Sequence, residues 1–168
     1  MIVLKDVRPQ NGAHFSALLA FYKELTPVLD RLQVVPLLTG SLAVFGYTRD
    51  QTMRVNDIDL ACHEATFPPL GAALAALGME VRVTAWHVLQ ARTAGLKIEF
   101  DSLEHWLAGV PADYDTLVID GCVFNIITLS SLKELYRRGL EETAQHRDAA
   151  GRAKHAAIAV TCALLRAV

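Results

Sequence analysis

Apolar residues recur at helical intervals from His14 to about Leu32, with Phe15, Leu18, Leu19, Phe21, Tyr22, Leu25, Val28, Leu29 and Leu32 as the repeating positions. Asn11-Gly12 sets a turn before this helix, and Pro27 kinks or bounds it. Val34–Leu38 then reads as a short buried strand. Gly40-Ser41 opens a second helix to about Tyr47, with Ser41 as its cap. Ile58–Cys62 is a second strand. Phe67–Leu77 is a helix with Pro68 and Pro69 in its first turn and Gly78 at its end. Glu80–Thr84 and Trp86–Arg92 form an antiparallel pair. After the turn Thr93-Ala94-Gly95, strand Leu96–Phe100 alternates so that Lys97, Glu99 and Asp101 share one face. Thr116–Ile119 and Cys122–Ile126 flank Asp120-Gly121, a two-residue hairpin turn. From Ser130 onward the pattern is helical; Gly139 weakens or interrupts the first helix, and Gln145–Val168 makes one long or two short ones.

This order predicts an α/β (α+β) fold: a mixed sheet flanked by helices, with the hairpins excluding an all-parallel arrangement. Residues 1–168 are expected to form one domain, with a sheet core over 34–127 and C-terminal helices over 129–168. The composition, 52% hydrophobic and 20% charged, supports a buried core and excludes a disordered chain. A formal charge of −2 gives no global electrostatic reason to bind nucleic acid. Cys62, Cys122 and Cys162 are widely spaced and odd in number, so neither a zinc motif nor a disulfide framework is indicated, and they read as buried thiols. Lys5 and Asp6 interrupt the apolar start, unlike a signal peptide, and Ala153–Val168 is too short to span a bilayer. A cytoplasmic protein without membrane attachment is expected.

The chemistry concentrates between Leu38 and Cys62. Asp57 and Asp59, two residues apart on a strand, point to the same face. Two such charges about 4 Å apart repel by about 4 kcal/mol at an effective dielectric of about 20, and a divalent cation reverses the sign. Gly40-Ser41, between a strand and a helix, suits phosphate: the helix N-terminus offers N–H groups, glycine allows close approach, and the hydroxyl adds a donor. Glu99, between Ile98 and Phe100, supplies a third carboxylate, with Asp101 as the alternative third acid. Hard oxygen ligands suit Mg²⁺, and a two-metal site would activate an attacking hydroxyl and stabilise leaving pyrophosphate, with Glu99 or Asp101 as general base.

Gly-Ser at a helix start, then Asp-Ile-Asp, then an acid on a later strand resembles the nucleotidyltransferase superfamily related to DNA polymerase beta. The run Gly40-Ser41-Leu42-Ala43, followed by Arg54-x-x-Asp57-Ile58-Asp59-Leu60, is similar to small bacterial abortive-infection and antitoxin-associated nucleotidyltransferases and to antibiotic-modifying ones. The match covers Leu37 to Ala61 and extends more weakly to Asp101. It implies that Gly40 and Ser41 bind nucleotide phosphates, that Asp57, Asp59 and Glu99 hold Mg²⁺, and that Arg54 neutralises phosphate charge. It also implies that Arg147-Asp148 stands for a basic-acidic pair in a C-terminal helix. Fifteen residues separate Ser41 from Asp57, which predicts a longer loop around Thr48–Val55.

The implied reaction moves a nucleoside monophosphate from an NTP to an acceptor hydroxyl on a small molecule, protein or RNA, releasing pyrophosphate. Two other classes use the same residues: a catalytically weak binding or regulatory protein of toxin–antitoxin type, and a metal-dependent phosphohydrolase. The acceptor pocket is expected from the C-terminal helices or from a partner, including a second copy. Asp113-Tyr114-Asp115, which repeats the acidic spacing after Pro111, reads as a solvated loop. The six histidines lack paired metal spacing, Arg147 and Lys154 read as surface charges, and Trp86 and Trp106 as packing residues. The Ala153–Leu165 stripe reads as core, with a breadth that also suits a dimer face.

Overall fold

The computed structural model describes residues 1–168. Its strands are β1 (Ile2–Leu4), β2 (Leu37–Leu38), β3 (Ile58–Cys62), β4 (Glu80–Val83), β5 (Val88–Thr93), β6 (Leu96–Ser102), β7 (Tyr114–Ile119) and β8 (Cys122–Ile127). Its helices are α1 (Gly12–Arg31), α2 (Gly40–Thr48), α3 (Phe67–Ala76), the single turn α4 (Leu103–Trp106), α5 (Leu129–Thr143) and α6 (Ala149–Arg166). All eight strands join one mixed sheet in the order β1-β7-β8-β2-β3-β6-β5-β4. The β3–β6 pair at its centre is parallel, and the β4–β5–β6 meander and the β7–β8 hairpin are antiparallel.

Period-two alternation in β3 and β6 gives the sheet two unlike faces. Ile58, Leu60, Ile98 and Phe100 are fully buried on one of them, where α1 and α3 pack. Helix α2 is apolar on all sides because it is buried on all sides, from Leu42 to Gly46. Phe45 meets Phe15 of α1 edge-on at 6.0 Å, and Tyr22 of α1 stacks on Phe124 of β8 at 4.2 Å, which ties both helices to the sheet. The opposite face carries Asp59, Lys97, Glu99 and Asp101.

Several elements differ from the sequence expectation. The first central strand is Leu37–Leu38 rather than Val34–Leu38: the N–H of Val34 still closes α1 on the carbonyl of Leu29 at 2.9 Å, and Pro36 has no N–H to give a ladder. Thr39, not Ser41, precedes the first turn of α2. Trp86 lies in the turn between β4 and β5. Tyr114 and Asp115 belong to strand β7, though both are exposed as expected of a solvated segment. Gly139 does not interrupt α5, which continues to Thr143. The α6 stripe is not core. Leu165 is buried and Ile158 and Cys162 are half-buried, but Val160 is 61% exposed, since α6 packs on α5 and α2 along one side. Cys162 is therefore only half-buried, and all three thiols are free. No helix is long and apolar enough to cross a membrane.

Candidate active site

Strand register places the acids. Asp59 on β3 lies beside Glu99 on β6, and Gln90 on β5 lies beside Glu99 on its other edge. Asp57, two residues before Asp59, shares its face. The result is a cluster in which carboxylate oxygens of Asp57, Asp59 and Glu99 all lie within 4.8 Å of one another. Asp101 continues the row along β6 but stands outside that cluster.

The loop before Asp57 is pinned rather than slack. Asn11, at the start of α1, uses its side-chain amide like a strand partner: Nδ2 donates to the carbonyl of Val55 at 2.8 Å, and Oδ1 accepts from the N–H of Val55 at 3.0 Å. The N–H of Gln10 donates to the carbonyl of Met53 at 2.7 Å, and His14 Nε2 lies 2.9 Å from the carbonyl of Asn56. The extra residues between Ser41 and Asp57 thus fold onto the α1 N-terminus, and Asp57 is delivered to the cluster by a fixed segment.

Gly40 closes the other wall. The N–H of Thr39 donates to the carbonyl of Asp59 at 2.9 Å, so the turn into α2 is tied to β3. Gly40 itself has φ +62°, and a Cβ there would lie 1.9 Å from Asp59 Oδ2. Beside it, Ser41 Oγ is buried and makes no hydrogen bond. An unmade hydrogen bond on a buried hydroxyl costs about 1–3 kcal/mol. Ser41→Ala is accordingly expected to raise the urea midpoint of the ligand-free protein slightly, as read on the purified wild type and variant side by side.

Lys97 sits inside the cluster: its Nζ lies 2.8 Å from Asp57 Oδ2 and 3.1 Å from Glu99 Oε1. Glu99 Oε1 also accepts from Gln90 Nε2. Burial works against the Lys97 charge, yet hydrogen bonds to Asp57 and Glu99 outweigh it and raise its pKa. Asp59 is pushed well above the usual carboxylate range by burial, with the charges of Asp57, Asp101 and Glu99 adding to it. Asp101 is pushed up to about 7, by burial and then by Glu99 and Asp57. Tyr136 of α5 is also raised, by burial and by Asp59.

These raised acids have a definite sign. Between about pH 4 and about pH 7 the folded chain holds a proton on Asp101 that the unfolded chain has released, so stability falls as pH rises through this window. In EDTA, Asp101→Asn is expected to remove this loss, gaining roughly 2–4 kcal/mol relative to wild type between pH 4.5 and pH 8, as read by urea midpoints.

The acid row opens into a cavity of 790 Å³. Gly40, Asp59, Glu99 and Asp101 line it from the sheet side, Trp86 and Trp106 from the edge, and Tyr136, Glu142 and Ile158 from α5 and α6. Trp106 Nε1 donates to the carbonyl of Trp86 at 2.8 Å, which holds the 68%-exposed Trp86 at the mouth. Lys154 and His146 also reach this cavity, whereas Arg54 is exposed and outside its wall. Asp148 caps α6 by accepting from the N–H of Gly151 at 2.6 Å, and Arg147 is exposed, so this pair stands apart from the site. His87 stacks on His105 at 4.3 Å and pairs with Glu64, and His63 pairs with Glu104.

Gln90, Lys97, Tyr136 and the two tryptophans escape the sequence reading of the site. Alternation in β6 does place Lys97 on the face of Glu99, but its contact with Asp57 depends on a strand pairing that no local pattern encodes.

No protein-family model matches the chain, and no curated protein matches it by sequence. Solved structures do match in fold. The antibiotic-resistance factor ANT(2'')-Ia is 15% identical, with a TM-score of 0.62 over 90% of each chain. An antigenic nucleotidyltransferase-like protein from Paracoccidioides brasiliensis is 14% identical, with a TM-score of 0.59 over 94% of this chain and 77% of that one. The lincosamide antibiotic adenylyltransferase LnuA, in its lincomycin-bound structure, is 10% identical, with a TM-score of 0.50 over 83% of this chain and 94% of that one. With its mixed sheet, its Gly-Ser turn and its acid row, the chain has the nucleotidyltransferase fold.

Proposed function

We propose that the chain is a divalent-metal-dependent nucleotidyltransferase that moves a nucleoside monophosphate from an NTP to a hydroxyl of a small acceptor, releasing pyrophosphate. The observation that carries this reading is the meeting of Asp57, Asp59 and Glu99 within 4.8 Å beside the Gly40-Ser41 turn. The donor set fits a hard ion such as Mg²⁺, being all carboxylate oxygen, and the unpartnered Ser41 Oγ and the Cβ-free surface of Gly40 fit a phosphate. The likeness to ANT(2'')-Ia and LnuA supports the same class of reaction and a hydroxyl-bearing small molecule as acceptor.

Asp57 and Asp59 would hold the metal, with Glu99 completing the acid set beside them; when bound, the metal would lower repulsion between phosphates and carboxylates and stabilise the leaving pyrophosphate. Gly40 and Ser41 bind the phosphates at the α2 N-terminus. The acceptor occupies the cavity between the acid row and α5–α6, with Trp86 and Trp106 as its apolar rim. Its hydroxyl oxygen attacks the α-phosphorus; the new O–P bond forms as the bond from the α-phosphorus to the bridging oxygen breaks, and pyrophosphate leaves with that electron pair. Glu99 takes the hydroxyl proton. Its Oε1 is engaged by Lys97 and Gln90, and Glu99 lines the cavity that would take the acceptor.

The test is direct. Purified protein with Mg²⁺ and each of the four NTPs is assayed for nucleotide binding, then for pyrophosphate release against a panel of polyhydroxylated small molecules. Mg²⁺-dependent binding and acceptor-dependent pyrophosphate release support the reading. Release of inorganic phosphate instead, or no binding of any NTP, overturns it.

A further inference from the structure

The bridging position of Lys97 bears on how many ions the centre takes. Its ammonium lies between Asp57 Oδ2 and Glu99 Oε1, at 2.8 and 3.1 Å, with the side chain only 28% exposed. It is held there from its own strand, two residues before Glu99, and Glu99 is gripped from the far edge by Gln90. A Mg²⁺ ion bridging the same two oxygens would have to sit about 2.0–2.1 Å from each, in the space the ammonium fills and against its charge. Asp59 is different: its carboxylate receives no protein hydrogen bond and makes no ion pair with Lys97, and it faces the Gly40 turn.

We propose that Lys97 takes the place of one ion of a two-ion centre, so that the site uses a single divalent ion, held at the Asp57–Asp59 side with the nucleotide phosphates. This rests on the nucleotidyltransferase reading. Three carboxylates are then balanced by one ammonium and one divalent ion. Glu99 is kept oriented by Lys97 and Gln90 rather than by a metal. Lys97 is in this sense a positioning residue as well as a counter-charge, and it makes the centre's metal content a property of β6 rather than of the acids alone.

Ion counting tests this without turnover. The full chain, in excess over an α,β-methylene analogue of ATP, GTP, CTP or UTP, is titrated with Mn²⁺, and free Mn²⁺ is read by electron paramagnetic resonance. Wild type and Lys97→Arg are expected to retain one Mn²⁺ per bound nucleotide, and Lys97→Met two. Two ions on the wild type overturn the inference and leave the nucleotidyltransferase reading standing. One ion on Lys97→Met with an unchanged near-ultraviolet circular dichroism spectrum overturns it as well. The wild-type count decides the matter alone where Lys97→Met does not fold. Binding of no analogue in the presence of Mn²⁺ overturns both.

Discussion

Asp59→Asn is expected to lower nucleotidyl transfer by at least about 10³-fold while making the ligand-free protein more stable. The two effects have one cause. Asp59 lies within 4.8 Å of Asp57 and Glu99 oxygens, and its carboxylate receives no compensating hydrogen bond from the protein. In the absence of metal that placement is a cost, which is why burial and its acidic neighbours push its pKa up. Two like charges about 4 Å apart repel by about 4 kcal/mol at an effective dielectric of about 20, but Asp59 already escapes part of this by holding a proton. The amide should therefore gain about 1–2 kcal/mol, or about 2–8 °C in melting temperature for a chain of this size. In the loaded site the same group would be a metal ligand, and losing about 4 kcal/mol of charge stabilisation is about 10³ in rate. Pyrophosphate release and calorimetry in EDTA measure the two halves. A variant that loses stability together with activity would mean that Asp59 has a structural role and that the cluster is not a metal centre. Asp113→Asn, in the other acidic pair of the same spacing, serves as control: Asp113 is exposed and outside the cavity, and neither quantity should move.

The local part of this site was legible because it is written in short periods. Asp57-Ile58-Asp59 and Lys97-Ile98-Glu99-Phe100-Asp101 alternate strictly, so their faces follow from the pleat alone. The Gly-Ser turn is equally local. What stayed hidden depends on pairing across the chain. Strand β1 is three residues long and its one strand partner is β7, parallel and more than a hundred residues away. The contact of Lys97 with Asp57 needs the register of Asp59 with Glu99. Tyr136 reaches the cavity from α5, whose angle to the sheet no sequence pattern states. The continuity of α5 through Gly139 has a related cause. As a poor helix former it weakens α5 in isolation, but Ile158 of α6 packs over it, where a Cβ would lie 3.6 Å from Ile158 Cδ1, and tertiary contact overrides the propensity. The α6 stripe shows the reverse limit: apolar periodicity reports which side of a helix favours burial, not how much of that side its neighbours cover, and Val160 stays 61% exposed.

Gly40→Ala tests the joint between the two walls, and its expected outcome is loss of both metal binding and transfer in a protein that still folds. Two separate penalties meet at this position. The backbone is left-handed, φ +62°, where a side chain costs about 1–2 kcal/mol. The added Cβ would lie 1.9 Å from Asp59 Oδ2 and 2.6 Å from its Cγ, distances at which something must move. The neighbouring backbone is poorly placed to yield, because the N–H and Oγ1 of Thr39 both donate to the carbonyl of Asp59 and α2 beyond it is buried through Leu42–Gly46. The carboxylate itself is the freer partner, so it should rotate off the cluster and carry the metal-binding geometry with it. A stability loss of about 1–3 kcal/mol is expected, within what a core of this extent absorbs. Transfer should fall by at least about 10²-fold, and Mn²⁺ affinity should fall with it, since a displacement of about 1 Å in such a site costs about that much in rate. Urea denaturation, Mn²⁺ titration and pyrophosphate release read the three quantities separately. The comparison with Gly78→Ala isolates the steric term: Gly78 shares the left-handed backbone at φ +82° but has nothing within 4 Å of its would-be Cβ. A loss of stability with full activity is expected there. If Gly40→Ala behaved the same way, Asp59 would not need its place against the α2 turn, and the two walls would not form one pocket.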